Sequence, residues 1–413
     1  MENQQYPTFY PVEQTFSTEH CLDVSKAVDD AFAAFDVSHI RAGSTVGITV
    51  GSRGINQLVP LVQAVVKNLR ALHLKPHIIP AMGSHGGATA EGQTAILEQL
   101  GITEENVGCP IHSNIETVSL GTLDEGAEVR VAKDAIEADY IFVMNRVKPH
   151  TLFHGEVESG LCKMLAIGLG KPSGADNLHN FPLEKVIKPA ALRILEHVNV
   201  LAGLAVVENS FDILHTIVLC PPKDIVATDA SLLTTARTLL PRIPLEQLDL
   251  LIIDEMGKNI SGTGIDTNVT GSWRRMGGAR TPDYNTLVVL SLTPQSKGNA
   301  HGIGMVDLIP RRLADAIIPA ATYANSLTTG IWASGRLPIT LENDKAVLDA
   351  ALAKSPKDIR AVRILNTLSL QKFWATEPVL EELYAKGCTV DRGNPASVHF
   401  SDDLRLRPFG LPL

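Results

Sequence analysis

The chain has 413 residues, of which 45% are hydrophobic and 5% aromatic, and its formal net charge is -9. This length favours two domains, because a single core stops growing at about 250–300 residues. The negative charge and the lack of a basic run disfavour nucleic-acid binding. No apolar run reaches the roughly 18–20 residues that span a bilayer, and the polar N-terminus is unlike a signal peptide. We therefore expect a soluble, cytoplasmic protein with no membrane and no nucleic-acid partner.

The first half of the sequence alternates short apolar runs with helical patterns. Strands are predicted at 45–50, 76–80 and 139–144, and helices at 58–72 and 89–100. This repeated order of strand, loop and helix is typical of a parallel sheet with helices on its faces. The excess of aliphatic over aromatic residues supports buried parallel strands.

A second alternating unit is predicted from strand 248–254 onward. The segment 239–248 contains two prolines and is typical of a connection between domains. We therefore predict an N-terminal domain of residues 1–245 and a C-terminal α/β domain of residues 246–413. The further predicted elements are helix 190–198, strand 200–207, strand 286–292 and helix 307–316.

Polar side chains follow the first three predicted strands. Arg53 follows the first strand in the sequence GSRG, and His85 follows the second in GSHGG. The third strand leads into the segment 147–179. Ligands of such sheets bind beyond the carboxyl ends of the strands, so we expect these three loops to converge.

The segment 147–179 is rich in histidine and glycine. It holds His150, His154 and His179 around Lys163, together with five glycines. Histidine exchanges protons near neutral pH and ligates metals, and glycine lets the backbone approach a ligand closely. The segment therefore predicts a reaction centre.

Several familiar fingerprints are absent from the sequence. It has no phosphate-binding GxxxxGK[ST] pattern, no GxGxxG, no GxSxG and no HExxH. The five cysteines are far apart and form no CxxC pair, so neither a zinc knuckle nor a disulfide framework is indicated. The chemistry is therefore expected from the histidines, the arginine and the lysine of the strand-end loops.

In combination these motifs resemble the nickel-pincer-nucleotide-dependent lactate racemase family. The resemblance rests on GSRG with Arg53, GSHGGATAEG with His85, KPH with His150, SGLCK with Lys163, and His179, in the family's order. It covers roughly the first 250 residues, and the remainder more loosely. It implies two Rossmann-like α/β domains with mostly parallel sheets and an active site in the interdomain cleft.

The resemblance also implies roles for individual residues. In the family a lysine carries the cofactor, a pyridinium nucleotide whose two sulfur-containing groups help to hold nickel. Here Lys163 would be the attachment site and His179 the nickel ligand, while His85 and His150 would act as acid and base and Arg53 would hold the substrate carboxylate. Further cofactor contacts are expected at Ser52, Gly168, Gly170 and Gly174. Proteins that synthesise and load the cofactor would be partners.

The implied activity is inversion of C2 in a small-molecule 2-hydroxy acid. The C2 hydrogen leaves as hydride to the pyridinium ring and returns to the other face of the keto acid. One base must take the hydroxyl proton of each enantiomer, so two histidines are the minimum. A guanidinium fork fixes the carboxylate, and soft sulfur with one imidazole suits square-planar Ni(II).

The chain departs from the family in two places. The interval from His150 to Lys163 is a few residues longer and contains His154 and Glu156, which leaves His154 open as an alternative base; the preceding Pro149 favours His150. In the C-terminal domain the candidate substrate contacts are Lys258, Asn259 and Arg274, with Arg275 and Arg280 as additional cations. An extra arginine could bind a second carboxylate, so we predict a substrate other than simple lactate.

Two other classes of function stay open. In one, His85, His150 and His179 hold zinc or iron in a metal-dependent lyase or dehydratase without the nucleotide. In the other, Arg53 and Lys163 are the anion contacts of a cytoplasmic binding protein for an anionic metabolite. An adduct on Lys163 with stoichiometric nickel would separate the racemase from both. The oligomeric state is not predicted.

Overall fold

The computed structural model describes residues 6–38 and 40–409, with the side chains of 275, 276, 328 and 329 excepted. The chain divides into two compact units. The first unit is Ser17–Leu240, and the second combines the described residues up to Phe16 with those from Pro241 onward. The predicted N-terminal domain of 1–245 differs from the first unit at both ends, because the first strand of the chain pairs inside the second unit.

Fifteen strands are found among the described residues. In chain order they are β1 Phe9–Glu13, β2 Thr45–Val50, β3 Lys75–Pro80, β4 Thr117–Thr122, β5 Glu128–Ala132, β6 Tyr140–Arg146, β7 Val200–Glu208, β8 Leu214–Cys220, β9 Gln247–Met256, β10 Asp283–Leu292, β11 Leu308–Pro310, β12 Ile339–Leu341, β13 Ala361–Ile364, β14 Lys372–Thr376 and β15 Thr389–Val390.

Fifteen α-helices are found in the same residues. They are α1 Val24–Ala33, α2 Leu58–Ala71, α3 Ala90–Gln99, α4 Glu104–Val107, α5 Lys133–Glu137, α6 Leu161–Lys163, α7 Lys171–His179, α8 Leu183–His197, α9 Ile225–Leu239, α10 Thr267–Thr270, α11 Trp273–Met276, α12 Arg311–Ala316, α13 Pro319–Thr329, α14 Asp344–Leu352 and α15 Leu380–Ala385. A π-helical turn, Met164–Gly168, directly follows α6 and precedes α7.

The first unit is built on a five-stranded sheet of order β3-β2-β6-β7-β8. The pairs from β3 to β7 are parallel, and β8 adds antiparallel to β7. A separate hairpin of β4 and β5 lies outside this sheet. The apolar face of α2 is buried against the sheet core, as its helical spacing predicts.

Strand β2 shows how the sequence permits close packing in this sheet. Five of its six residues are buried. A Cβ on Gly47 would lie 2.4 Å from Ile79 Cδ1 and 2.8 Å from Ile141 Cδ1. Glycine is therefore required here for side chains of both neighbouring strands to close over β2.

The second unit contains an eight-stranded sheet of order β12-β11-β10-β9-β13-β14-β1-β15. Strands from β12 to β13 pair in parallel, and the last three are antiparallel. The α/β class with mostly parallel sheets is confirmed. Within the described residues, no helix combines the length and apolar composition that a membrane span requires.

Candidate active site

The sheet order of the first unit brings the predicted strand-end loops side by side. Strand β2 lies between β3 and β6, and all three are parallel. The loops that follow them carry Arg53, His85 and the segment 147–179 respectively. These loops therefore leave the same edge of one sheet, where α/β proteins bind ligands.

The first two loops touch through their side chains. Ser52 Oγ and His85 Nδ1 share a hydrogen bond. Arg53 and His85 are both exposed, and both face one surface pocket of about 320 Å³, lined by Ser52, Arg53, His85, Gly86, Ile96, Gln99 and Leu100. A carboxylate bound by Arg53 would therefore lie within the same pocket as an imidazole.

The backbone around His85 is fixed by glycines and by a buried glutamine. Gly86 has φ 68°, and a Cβ on it would lie 2.5 Å from the backbone of Gly92 in α3. The fully buried Gln93 donates its Nε2 hydrogen to Gly83 O at 2.8 Å. The loop therefore packs closely against the start of α3, and this packing fixes the position of His85.

Lys163 lies at the end of a short helical turn that Asp229 caps. The Asp229 carboxylate accepts hydrogen bonds from Leu161 N at 2.8 Å and from Cys162 N at 2.7 Å. A Cβ on Gly160 would lie 2.4 Å from Asp229 Oδ1, so only glycine leaves room for the carboxylate. Asp229 belongs to α9 and was not among the predicted site residues; the sequence gives no local signal for it.

The amine of Lys163 is electrostatically unusual. Burial, followed by the positive charges of Lys148 and Arg53, lowers its pKa to about 7, although Glu158 opposes the shift. An ordinary lysine has a pKa near 10.4 and is almost wholly protonated at neutral pH. A large fraction of Lys163 is therefore a neutral, nucleophilic amine at pH 7.

Lys171 is a second buried lysine in the same segment, but its amine has a structural partner. Its Nζ donates to Pro80 O at 2.6 Å, at the end of β3. Burial lowers its pKa to about 8. This lysine holds α7 against the strand that leads to the His85 loop.

His179 is the last residue of α7, and its ring is oriented by the helix. Nδ1–H donates to Ala175 O at 2.5 Å, because a carbonyl can only accept. The lone pair of the neutral ring is therefore on Nε2, the arrangement found in metal-binding histidines. Burial is the largest cause that lowers the pKa of His179, so the neutral form is favoured.

The two ring nitrogens of His150 have the opposite roles to those of His179. Nδ1 of His150 accepts a hydrogen bond from Leu152 N at 3.1 Å, and its ring packs on Phe153 at 4.4 Å between centroids. The neutral ring therefore carries its hydrogen on Nε2. Burial, and then the charges of Lys163 and Lys148, hold the pKa of His150 well below its usual value.

The two histidines of the longer loop occupy different surroundings. Burial is the main cause that lowers the pKa of both His150 and His179, and the charge of Lys163 acts in the same direction on both. The side chain of His154 is 51% exposed and faces the carboxylate of Glu158 at 3.3 Å. The structure thus favours His150 over His154 as the group beside Lys163.

Packing explains why glycine stands at the three positions of this segment that were predicted to bind the cofactor. All are buried. A Cβ on Gly168 would lie 2.7 Å from Ala81 O, one on Gly170 the same distance from Ala166 O, and one on Gly174 3.2 Å from Arg130 Cβ. Close backbone packing accounts for these glycines, and contact with a cofactor stays a prediction.

Lys258 and Asn259, the predicted substrate contacts of the second unit, both have structural partners. Lys258 Nζ donates to Gly262 O at 2.6 Å. Asn259 Oδ1 accepts from Thr293 Oγ1 at 2.5 Å. These bonds tie the loop after β9 to itself and to the end of β10.

Arg274 also has structural partners. It forms an ion pair with Asp307 at 2.5 Å, and its guanidinium lies over the rings of Trp273 and Tyr284. Its side chain is only 13% exposed, so its contacts are explained by the fold.

The two additional arginines are Arg275 and Arg280. Arg280 stacks on Trp273 with a side chain that is 64% exposed. The side chain of Arg275 lies outside the described residues.

Residues 48–180 match the family model of the lactate racemase N-terminal domain. This match confirms the resemblance predicted from the motifs. It spans less than half of the chain but includes Arg53, His85, His150, Lys163 and His179. No curated protein matches the chain.

The fold is similar to that of a solved lactate racemase. The lactate racemase apoprotein from Thermoanaerobacterium thermosaccharolyticum aligns with a TM-score of 0.54 over 88% of this chain and 99% of that chain, at 12% sequence identity. At this identity the likeness concerns the fold alone.

Across the described residues, no group of three or more histidine, cysteine, aspartate or glutamate side chains could hold a metal ion. The alternative in which His85, His150 and His179 share one zinc or iron therefore finds no support there. A metal that needs one protein imidazole and takes its other ligands from a cofactor remains compatible with His179.

Proposed function

We propose that the chain is a racemase or epimerase that inverts C2 of a 2-hydroxy acid with a nickel-pincer nucleotide held by Lys163 and His179. The observation that carries the proposal is Lys163, whose pKa is lowered to about 7 and whose charge is coupled to both His150 and His179. The match of residues 48–180 to the lactate racemase N-terminal domain supports it independently.

The residues present fit such a cofactor in two respects. A neutral amine at Lys163 could attack a carboxyl or thiocarboxyl carbon of the cofactor and form an amide-type bond, with water leaving as the C–N bond forms. The Nε2 lone pair of His179 can complete the coordination of a nickel ion, since Nδ1–H is committed to Ala175 O. When bound, the cofactor supplies a reversible hydride acceptor for C2. Ser52 and the glycine-rich turn remain the proposed contacts of its phosphate.

Proton transfer is assigned to His150 and His85. His150 carries its hydrogen on Nε2 in the neutral state, because Nδ1 accepts from Leu152 N. It is therefore set to donate to the substrate oxygen first. His85, whose Nδ1 shares a hydrogen bond with Ser52 Oγ, is assigned to the proton of the substrate hydroxyl. Two imidazoles suit a reaction that runs in both directions, because each enantiomer needs its own base.

Arg53 is assigned to the substrate carboxylate. It lines the same pocket as His85, and a guanidinium binds a carboxylate through two parallel hydrogen bonds. In the second unit, Lys258 and Asn259 stay as proposed contacts with more distal substrate groups.

The substrate is proposed to be larger or more polar than lactate. Arg274 no longer supports this, because Asp307 and two aromatic rings hold its guanidinium. Arg280, whose side chain is exposed, still supports a substrate that is larger or more polar than lactate. Turnover of lactate, malate and sugar acids should be compared, and lactate as the best substrate would contradict this part of the proposal.

The decisive experiment is to produce the full chain together with the proteins that synthesise and load the cofactor. Intact mass and peptide mapping should show an adduct on Lys163, with about one nickel per chain, and chiral analysis should show inversion at C2. Lys163→Arg should lose all three, whereas Lys185→Arg, an exposed lysine nearby, should retain them. An unmodified Lys163, or an adduct on Lys171 instead, would overturn the proposal.

A further inference from the structure

The longer loop between His150 and Lys163 is organised around one buried carboxylate. Residues Lys148 and Ser159 close the loop through a pair of backbone hydrogen bonds, Lys148 N to Ser159 O at 2.9 Å and Ser159 N to Lys148 O at 3.3 Å. Inside this closure lies Glu158, whose side chain is 0% exposed. A buried carboxylate is costly unless its oxygens are fully hydrogen-bonded.

Each oxygen of Glu158 has a defined partner. Oε2 accepts the backbone N–H of His150 at 2.5 Å. Oε1 accepts from Arg237 Nη2 at 2.6 Å, from Gly155 N at 3.3 Å and from His154 Nδ1 at 3.3 Å. The carboxylate therefore joins the backbone of His150 to a cation on another element.

That cation belongs to α9, the helix that also caps the Lys163 turn. Arg237 lies eight residues after Asp229, whose carboxylate accepts the N–H groups of Leu161 and Cys162. One rigid helix thus holds both the loop of His150 and the turn of Lys163. A fixed spacing between two reacting groups is what catalysis requires, since a misplacement of about 1 Å can lower a rate about 100-fold.

We propose that Glu158, held by Arg237, is a positioning residue that fixes the backbone of His150 and thereby keeps its Nε2–H directed at the reaction centre. The proposal rests on the proposed function. It also gives His154 a role, as an outer partner of Glu158 in place of the proton-transfer group. Glu158 contacts neither substrate nor cofactor in this arrangement.

The matched control lies two residues away in the same loop. Glu156 has a side chain that is 56% exposed and pairs with Lys188 at 2.6 Å. Glu156→Gln and Glu158→Gln therefore make the same chemical change at an exposed and at a buried carboxylate. A neutral amide at 158 can still accept from one N–H, but its NH2 group opposes the second donor and cannot hold Arg237 as a carboxylate does.

The first measurement uses the full chain without cofactor. Imidazole ¹⁵N–¹H NMR spectra should show His150, assigned by its loss in His150→Gln, as the Nε2–H tautomer in the wild type and in Glu156→Gln. In Glu158→Gln the His150 signals should move towards the tautomer mixture of an exposed histidine. An unchanged His150 tautomer in Glu158→Gln would overturn the proposal.

The second measurement uses the loaded enzyme. Glu158→Gln should lower kcat about 10- to 100-fold, with KM and the Lys163 adduct close to those of Glu156→Gln. Equal kcat in the two variants, or loss of the adduct together with activity, would contradict a positioning role. If the wild type shows neither adduct nor inversion, the proposed function fails, and the NMR comparison still tests what Glu158 does to His150.

Arg237→Gln is a second variant that tests the proposal even if Glu158→Gln does not fold. The Arg237 side chain is 41% exposed, so its replacement leaves the core packing and the backbone donors to Glu158 in place. It should shift the His150 signals in the same direction as Glu158→Gln, to a smaller extent. Wild-type spectra and wild-type kcat in Arg237→Gln would show that Arg237 does not hold the carboxylate.

Discussion

The segment 147–179 of the first unit and the loop after β9 in the second unit are both rich in glycine and polar groups, yet they differ in how those groups are held. In the first segment, burial and neighbouring cations depress the pKa of Lys163, His150 and His179. In the second, Lys258 and Asn259 are tied to nearby backbone and hydroxyl groups. Sequence composition alone does not distinguish these cases.

The difference shows what marks a reactive site physically. A structural polar group is held in place by its hydrogen-bond partners. A reactive group is desolvated with its charge incompletely compensated, which places its pKa near the working pH. Lys163 meets this description, since Asp229 fixes its turn and Glu158 only partly offsets the lowering of its pKa by burial and nearby cations.

The largest contrast is expected between Lys163 and Lys258. Lys163→Met should remove the cofactor adduct and reduce inversion at least about 1,000-fold, because no other described lysine has the same combination of burial and coupling to two histidines. Lys258→Met should lower kcat/KM by no more than about tenfold, as expected for one lost charged hydrogen bond. Adduct mass and chiral turnover measure both, and an equal loss in the two variants would break the comparison.

His150 provides the next test, within the first unit. His150→Gln should lower kcat by about 10²- to 10⁴-fold, the usual contribution of a general acid or base, while the adduct on Lys163 is retained. His154→Gln should lower kcat less than about tenfold, because its ring is half exposed and faces Glu158. The reverse order of effects would assign the proton transfer to His154.

Gly160 tests the link between α9 and the lysine turn. Gly160→Ala places a Cβ 2.4 Å from Asp229 Oδ1, so the carboxylate must move from Leu161 N and Cys162 N. We expect a loss of about 1–3 kcal/mol in the free energy of unfolding, as for other overpacked sites, and a lower adduct yield on Lys163. Gly155→Ala, where the nearest contact of a Cβ is 3.4 Å, is the control. Equal stability and adduct yield in both variants would show that Asp229 does not hold the turn of Lys163.

The sequence predicted most local elements well and long-range partners poorly; the predicted helix 307–316 is wrong in its first part, where strand β11 precedes α12. Strand β2 was predicted at the bounds observed, and α2 to within one residue, because both depend on apolar periodicity within a short window. Strand β1 was missed as part of the second unit, because its partner β14 lies more than 350 residues later.

The same reason separates the site residues that were found from those that were missed. Arg53, His85, Lys163 and His179 stand in recognisable local motifs. Glu158 differs from Glu156 in its burial and in its partners, which include Arg237, 79 residues later in the chain. No local pattern tells which of two glutamates will be buried when the deciding partner lies on a distant helix.

The smallest effect concerns stability and carries a definite pH dependence. The pKa of Lys163 is about 7 in the folded chain, against an ordinary value of 10.5. Between these values the unfolded chain binds a proton that the folded chain does not, so stability is full above about pH 10.5 and is lost progressively as the pH falls from about 10.5 to about 7. Lys163→Met removes this loss, so the cofactor-free variant should be more stable than the wild type at pH 7.

The gain is expected to be about 1 kcal/mol at pH 7, after discounting for the partial exposure of the side chain, and to vanish as the pH approaches 10.5. Thermal unfolding of the cofactor-free protein at several pH values between 7 and 10 measures it, with Lys185→Met as the exposed control. A methionine variant less stable than the wild type at pH 7, or a difference that does not change with pH, would mean that the amine of Lys163 is better solvated than its surroundings indicate. Lys163 would then resemble the satisfied polar groups of the second unit, and the contrast between the two regions would rest on His150 and His179 alone.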